Sequence, residues 1–258
     1  MSVKLRMVAL IYLSTLPFSV LSHPDLLLQI EALDVQIEAQ PGDTELLIKR
    51  GDLYRRHENY PAAAQDFATA RKTSPDYELL DFYEGHLSFD IGDSAAAENH
   101  LKKYLKNHPD QSKAWALRGK ANVRLYQAES AAGYFAQAIQ NTQTPSPTLY
   151  RSQILSLVSS GDSKWDEARM VVDQGLQYFG LEVSLLGLGI DISLAGNQPA
   201  MAKQYLDSLP EALRDLPQWG TRIETTNCVA STKPEISTPC QQQARDHLNN
   251  EAKTFMAQ

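Results

Sequence analysis

Residues 44–77 read TELLIKRGDLYRRHENYPAAAQDFATARKTSPDY. The tripeptide Arg50-Gly51-Asp52 inside this stretch has the composition of a cell-adhesion signal, which must project from an exposed turn. Its surroundings point elsewhere. When residues 78–111 and 112–145 are set beneath residues 44–77, Gly51, Gly85 and Gly119 fall in one column, each 34 residues from the next. Ala63, Ala97 and Ala131 share a second column, and Phe67, Leu101 and Phe135 a third. Ala70, Tyr104 and Ala138 form a fourth, while Pro75 and Pro109 close the first two units. A strict period of this length, with small residues at fixed offsets, is the signature of stacked helix–turn–helix units.

Each column has a physical reason. The Gly of the first helix lets the second helix approach closely, and the Ala of the second helix does the same from the other side. The aromatic or Leu four residues later fills the space between units. Pro ends the second helix because it cannot continue one and restricts the residue before it. HENY (57–60) and IGDS (91–94) supply the turn residues that a short connection prefers. Arg50, Gly51 and Asp52 therefore lie inside a helix, and the adhesion reading fails.

These units resemble tetratricopeptide repeats, whose consensus runs large residue, Leu–Gly, Tyr, then Ala, Phe, Ala and Pro. The first unit follows it through Leu47, Gly51, Tyr54, Ala63, Phe67, Ala70 and Pro75. Ser88 and Asn122 depart at the Tyr position, and Gln143 stands near the expected Pro. Two looser units follow at residues 146–181 and 182–215. The fourth fits Tyr150, Ala168, Val172 and Gly175 if two residues are inserted around SGDSKW, with Ile154 at the Gly position. In the fifth, GLGIDISLAG falls on the first helix and reads as packing. The resemblance implies an all-α, right-handed superhelical array of antiparallel helix pairs over residues 44–215. Upstream, residues 23–43 place Leu26, Leu27, Ile30, Leu33 and Ile37 at helical spacing, as a capping helix would. Residues 216–258 leave the pattern; a loop followed by a polar helix that caps the last unit is expected there.

The resemblance further implies that the first helix of each unit lines a concave groove. The groove positions hold Arg55, Arg56, Phe82, His86, Phe89, Lys113, Lys120 and Arg124, with Arg151 from the shifted fourth unit. Such a surface suits an extended or helical peptide with acidic side chains and one or two apolar anchors. Alternatively, the charges solvate the helices while the aromatics pack against the next unit. For Val183, Leu186, Ile190 and Leu194 in the fifth unit, packing is the expectation. The Lys/Asn clamp by which one branch of the family holds chaperone carboxylates is missing, because its positions hold Ile48 and Asp52, Phe82 and His86, and Ala116 and Lys120.

Composition narrows the function further. The chain has 258 residues, 43% of them apolar, enough for a sizeable core, and a net charge of −7. That balance argues against general nucleic-acid binding, which needs a dominant basic face. Residues 1–22 have the three parts of a secretory signal: Lys4 and Arg6, the apolar run from Met7 to Leu16, and a cleavage position after Ser22. The run is too short to span a bilayer. The expectation is an exported protein, periplasmic in a Gram-negative cell and otherwise secreted, with a partner in the cell envelope. In such a compartment the two cysteines, Cys228 and Cys240, are most simply read as one disulfide, two free thiols being the alternative.

No zinc-protease helix, phosphate loop or nucleophile elbow occurs, so neither cofactor nor metal is expected and a scaffold is favoured over an enzyme. An amino-terminal copper site at His23 would lack further ligands nearby. A small enzyme or a ligand- or metal-sensing protein on the same array is the alternative, and it requires His86, Asp90 and Lys120 to converge.

Overall fold

The computed structural model describes residues 24–258. The signal segment and His23 lie outside the described residues. The described chain is helical throughout, and consecutive helices pack as neighbours. First comes α1 (Pro24–Ala39). The pairs α2 (Thr44–Arg56) and α3 (Tyr60–Thr73), α4 (Glu78–Asp90) and α5 (Ser94–Asn107), and α6 (Ser112–Arg124) and α7 (Ala128–Gln140) follow. Next are α8 (Pro147–Ser159) with α9 (Trp165–Phe179), and α10 (Val183–Ala195) with α11 (Pro199–Asp207). A 3-10 turn at Asp162–Lys164 joins α8 to α9, where the sequence carries its insertion.

Local chemistry sets the helix starts. The side chains of Asp43, Asn59, Asp93 and Ser146 each accept a hydrogen bond from a backbone N–H in the first turn of the helix they precede. The fixed columns then set the packing. A Cβ on Gly119 would stand 2.8 Å from Phe135, and one on Gly85 would stand 2.9 Å from Leu101. Gly51 meets Phe67 in the same way, and in the fifth unit Gly189 meets Tyr205 at 3.0 Å. Ala63, Ala97 and Ala131 are fully buried between the paired helices. At the open end, α1 lies on α2 and buries Leu26, Ile30 and Ile37, while Leu27 faces outward.

Arg50, Gly51 and Asp52 are each accounted for by this packing. The Arg50 guanidinium donates to Asp66 through Nε (2.8 Å) and Nη2 (2.7 Å), and to Asp34 at 2.8 Å. Gly51 is the packing contact, and Asp52 accepts from Arg55.

The segment after the array departs from expectation. Residues 216–258 are not a loop followed by a capping helix. They form α13 (Pro217–Val229) and the 23-residue α14 (Pro234–Met256), with the short α12 (Glu211–Arg214) ahead of them. Cys228 and Cys240 form a disulfide between α13 and the start of α14. α14 does not sit on the outer end of the array. It folds back across α10, α8 and α6, the first helices of the fifth, fourth and third units, and so lies along the concave face.

The cause is α10. Its residues from Leu185 to Ala195 are buried on every side, and a helix apolar all round needs cover from several neighbours. α14 supplies that cover with Ala244, Leu248, Ala252, Phe255 and Met256, in one core cluster with Leu155, Leu186, Ile190 and Leu194. Polar contacts at the margin set its position. Arg151 pairs with Glu251 at 2.8 Å, and Arg245 donates to the Ala195 carbonyl at 3.0 Å and to Asp162 at 2.9 Å.

Two tests follow from this packing. Gly119→Ala gains helix propensity of about 1 kcal/mol but drives a methyl into a packed ring, so a net loss of about 1–3 kcal/mol is expected in urea denaturation. Gly133 has open space around it, and Gly133→Ala is expected to stabilise by up to about 1 kcal/mol. For α14, Leu248→Ala is expected to cost about 2–5 kcal/mol through its buried side chain. Arg151→Ala should cost less than about 1 kcal/mol, because that pair is part-exposed. Equal losses for Leu248→Ala and Arg151→Ala would contradict an apolar basis for α14 docking.

Candidate functional site

The concave face has two unlike halves. Over α8 and α10 it is closed by α14, and Arg151, a groove position, is taken up by Glu251 of the same chain. Leu186, Ile190 and Leu194 are buried there in one core cluster with Trp219 of α13 and Leu248 of α14, whereas Val183, for which packing was also expected, is exposed at the start of α10. Over α2, α4 and the start of α6 the face is open.

In the open half most of the expected contact residues have internal partners. Arg55 donates from Nε to Asp52 (2.9 Å) and from Nη1 to Asp90 (2.5 Å). Arg124 lies 3.8 Å from the centroid of the Phe89 ring, and its Nη1 donates to the Phe89 carbonyl at 2.8 Å. Its Nε donates to the Gln258 carbonyl at 3.3 Å, joining α6 to the chain beyond α14. Phe82 packs against Tyr83 and Tyr104 and meets the His86 ring edge-on at 4.7 Å. Both phenylalanines are thus half-buried packing residues rather than free anchors. Arg56, Lys113 and Lys120 differ: they are exposed, and no ion pair engages them among the described residues.

His86 sits among these groups. Burial, then the positive charges of Arg55 and Lys120, push it down to about 4, against the opposing pull of Asp90 and Asp52. Among the described residues no hydrogen bond joins His86 to Asp90 or Lys120. Asp90 is engaged by Arg55 instead.

Two groups of metal-ligand side chains come together between helices, which no sequence motif had marked. Asp81, Glu84 and His100 meet within the second unit, between α4 and α5, where Arg71 of α3 bonds both carboxylates and Lys103 bonds Asp81 at 2.9 Å. Asp191, His247 and Glu251 meet between α10 and α14, where Arg222 takes Asp191 through two nitrogens at 2.9 and 2.5 Å. Burial raises the Asp191 carboxyl above its ordinary range while Arg222 pulls it down. In both groups the positive charge is supplied by the chain's own cations.

The comparisons agree with this architecture. The model of the tetratricopeptide repeat family matches residues 84–146, the same stretch in which Gly85 and Gly119 meet Leu101 and Phe135. Over these residues the chain carries tetratricopeptide repeats. No curated protein sequence matches it. Among solved structures it is similar to PilW, described as a widely conserved type IV pilus biogenesis factor, with TM-score 0.57 and 16% identity over 77% of this chain and 91% of that one. It is also similar to the pilF protein of Pseudomonas aeruginosa, with TM-score 0.55 and 15% identity over 74% and 87% of the two chains. A tetratricopeptide repeat protein of Parabacteroides merdae aligns over 91% of this chain and 93% of its own, with TM-score 0.53 and 15% identity.

Within the matched repeats, one departure from the consensus has its own explanation. Asn122, at the Tyr position of the third unit, donates to Glu98 at 2.7 Å, and Glu98 also accepts from Arg118. A buried polar network replaces the aromatic there. The groove role of α14 was not legible from composition, although Ala244, Leu248, Ala252 and Phe255 recur at helical spacing within its polar sequence.

His86 gives a pH test. The unfolded chain, with the ordinary value of 6.5, binds more protons than the folded chain between pH 4 and 6.5, so stability falls as pH drops through that window. The expected loss assignable to His86 is on the order of 2–3 kcal/mol, read as the difference between wild type and His86→Asn in denaturation at pH 7 and pH 4. Parallel curves for the two proteins would contradict the buried, neutral His86.

Proposed function

We propose that this repeat protein is an exported scaffold that holds an acidic segment of another envelope protein along the open half of its concave face. The supporting observation is charge. In a chain of net charge −7, Arg56, Lys113 and Lys120 stand exposed on or beside one face with no ion-pair partner among the described residues, while Arg55, Arg124 and Arg151 are used internally. Exposed cations of this kind steer an anionic partner and set its register. Phe82, His86 and Phe89 form a half-buried aromatic floor beside them. Export is supported by the signal pattern of residues 1–22 and by the disulfide between Cys228 and Cys240, which suits an oxidising compartment.

The experiment is a crosslinking pull-down from an envelope fraction, comparing wild type with the triple variant Arg56→Glu/Lys113→Glu/Lys120→Glu. A captured partner is expected to be lost or weakened at least about tenfold by three reversed rim charges, with helicity by circular dichroism unchanged. Capture that is equal in both proteins would move binding away from this face.

A further inference from the structure

We propose that the turn between α6 and α7, together with the last turns of α14, forms a second binding site. Its ligand is a bulky apolar side chain presented beside a carboxylate on a peptide segment of another protein. The site is separate from the open half of the groove and does not depend on that reading.

The first observation is Tyr126. It has φ of 56°, in the left-handed region, and the residue is 73% exposed. The same turn in other units uses Glu58 (φ 62°), Gly92 (φ 87°) and Asn197 (φ 58°), and of these Gly and Asn adopt the conformation most readily, so Tyr126 is the one bulky aromatic among them. A tyrosine there strains the backbone and buries little apolar surface, so the fold gains nothing from it that Gly or Asn would not supply better. Strained backbone at an exposed aromatic is a feature of ligand-contact positions.

The second observation is what Tyr126 overhangs. A hollow of about 450 Å³ lies beside it, within the size range of small-ligand sites. Val158, Ala252 and Met256 form its buried apolar floor, and Asn249 and Lys253 stand with Tyr126 on the rim. Methionine thioethers are adaptable and pack well against aromatic rings. The third observation is charge. Lys253 is exposed and engaged by no ion pair among the described residues, whereas the neighbouring acids are occupied: Glu251 by Arg151 and Glu129 by Lys164 at 3.3 Å. An apolar floor, an aromatic rim and an unpaired ammonium together select an acidic–apolar peptide over a basic one.

The test is a methyl-resolved NMR titration of the full chain, following Met256 and Ala252. The probe is a capped peptide carrying one phenylalanine flanked by glutamates. Its controls carry lysine flanks, or alanine in place of the phenylalanine. Saturable shifts at Met256 and Ala252 are expected with the glutamate peptide alone. Tyr126→Asn is expected to weaken that binding at least about tenfold while raising Tm by about 2–4 °C through relief of strain. A role for Tyr126 in folding would move stability and binding down together instead. Absence of saturable shifts, equal binding by Tyr126→Asn, or equal binding of the lysine-flanked peptide overturns the proposal. So does a shift of the same methyls with protein concentration alone, which would give the hollow to a second copy of the chain.

Discussion

The missing Cβ at positions 51, 85 and 119 is the constraint on which the rest of the structure depends. At each, the ring or branched side chain sixteen residues later occupies the space a Cβ would need. That contact draws the two helices of a unit together, and the buried alanines at 63, 97 and 131 hold the approach from the other side. Because each unit buries one face against the next, the repeated spacing makes a continuous core and a common inner face. The identity of that inner face then follows from which residues each first helix happens to carry.

Those residues change along the chain, and the change explains why the inner face has two halves. The first helices α2 and α4 carry charged and aromatic residues that bond among themselves, so their surface tolerates water. The first helix α10 is buried on all sides from Leu185 to Ala195 and, apart from Asp191 and Ser193, apolar there, and cannot tolerate it. Exposing that stripe would cost far more than ordering one further helix whose apolar residues fit it, at roughly 25 cal/mol per Å² of apolar surface. α14 therefore closes the second half, and the disulfide between Cys228 and Cys240 ties its start to α13.

Charge is organised by the same packing. Arg50 joins α2 to Asp66 of α3 and Asp34 of α1. Arg71 joins α3 to Asp81 and Glu84 of α4, and Arg118 joins α6 to Glu98 of α5. These pairs bridge successive helices across the stack and leave little unbalanced charge inside it. Several cations enter no such pair among the described residues, and of these Arg56, Lys113 and Lys120 fall at groove positions and Lys253 at the hollow beside Tyr126.

The amino-acid sequence by itself determined the repeat. Period, small-residue columns and turn chemistry act between residues close along the chain, so the spacing of Gly51, Ala63 and Phe67 was enough to place a helix pair and to exclude an exposed Arg-Gly-Asp turn. That Arg55, Phe82, Phe89, Arg124 and Arg151 fall at groove positions is what the family resemblance implies in the same register. Their availability was not legible in the sequence. Whether Arg151 is free depends on Glu251, one hundred residues away, and whether Phe89 is open depends on Arg124 lying over it. The tertiary structure alone decided that α14 covers the inner face instead of the end of the array. An amphipathic helix records in its sequence that it needs an apolar partner, but not which apolar surface, among several left by the repeats, it will reach and bury.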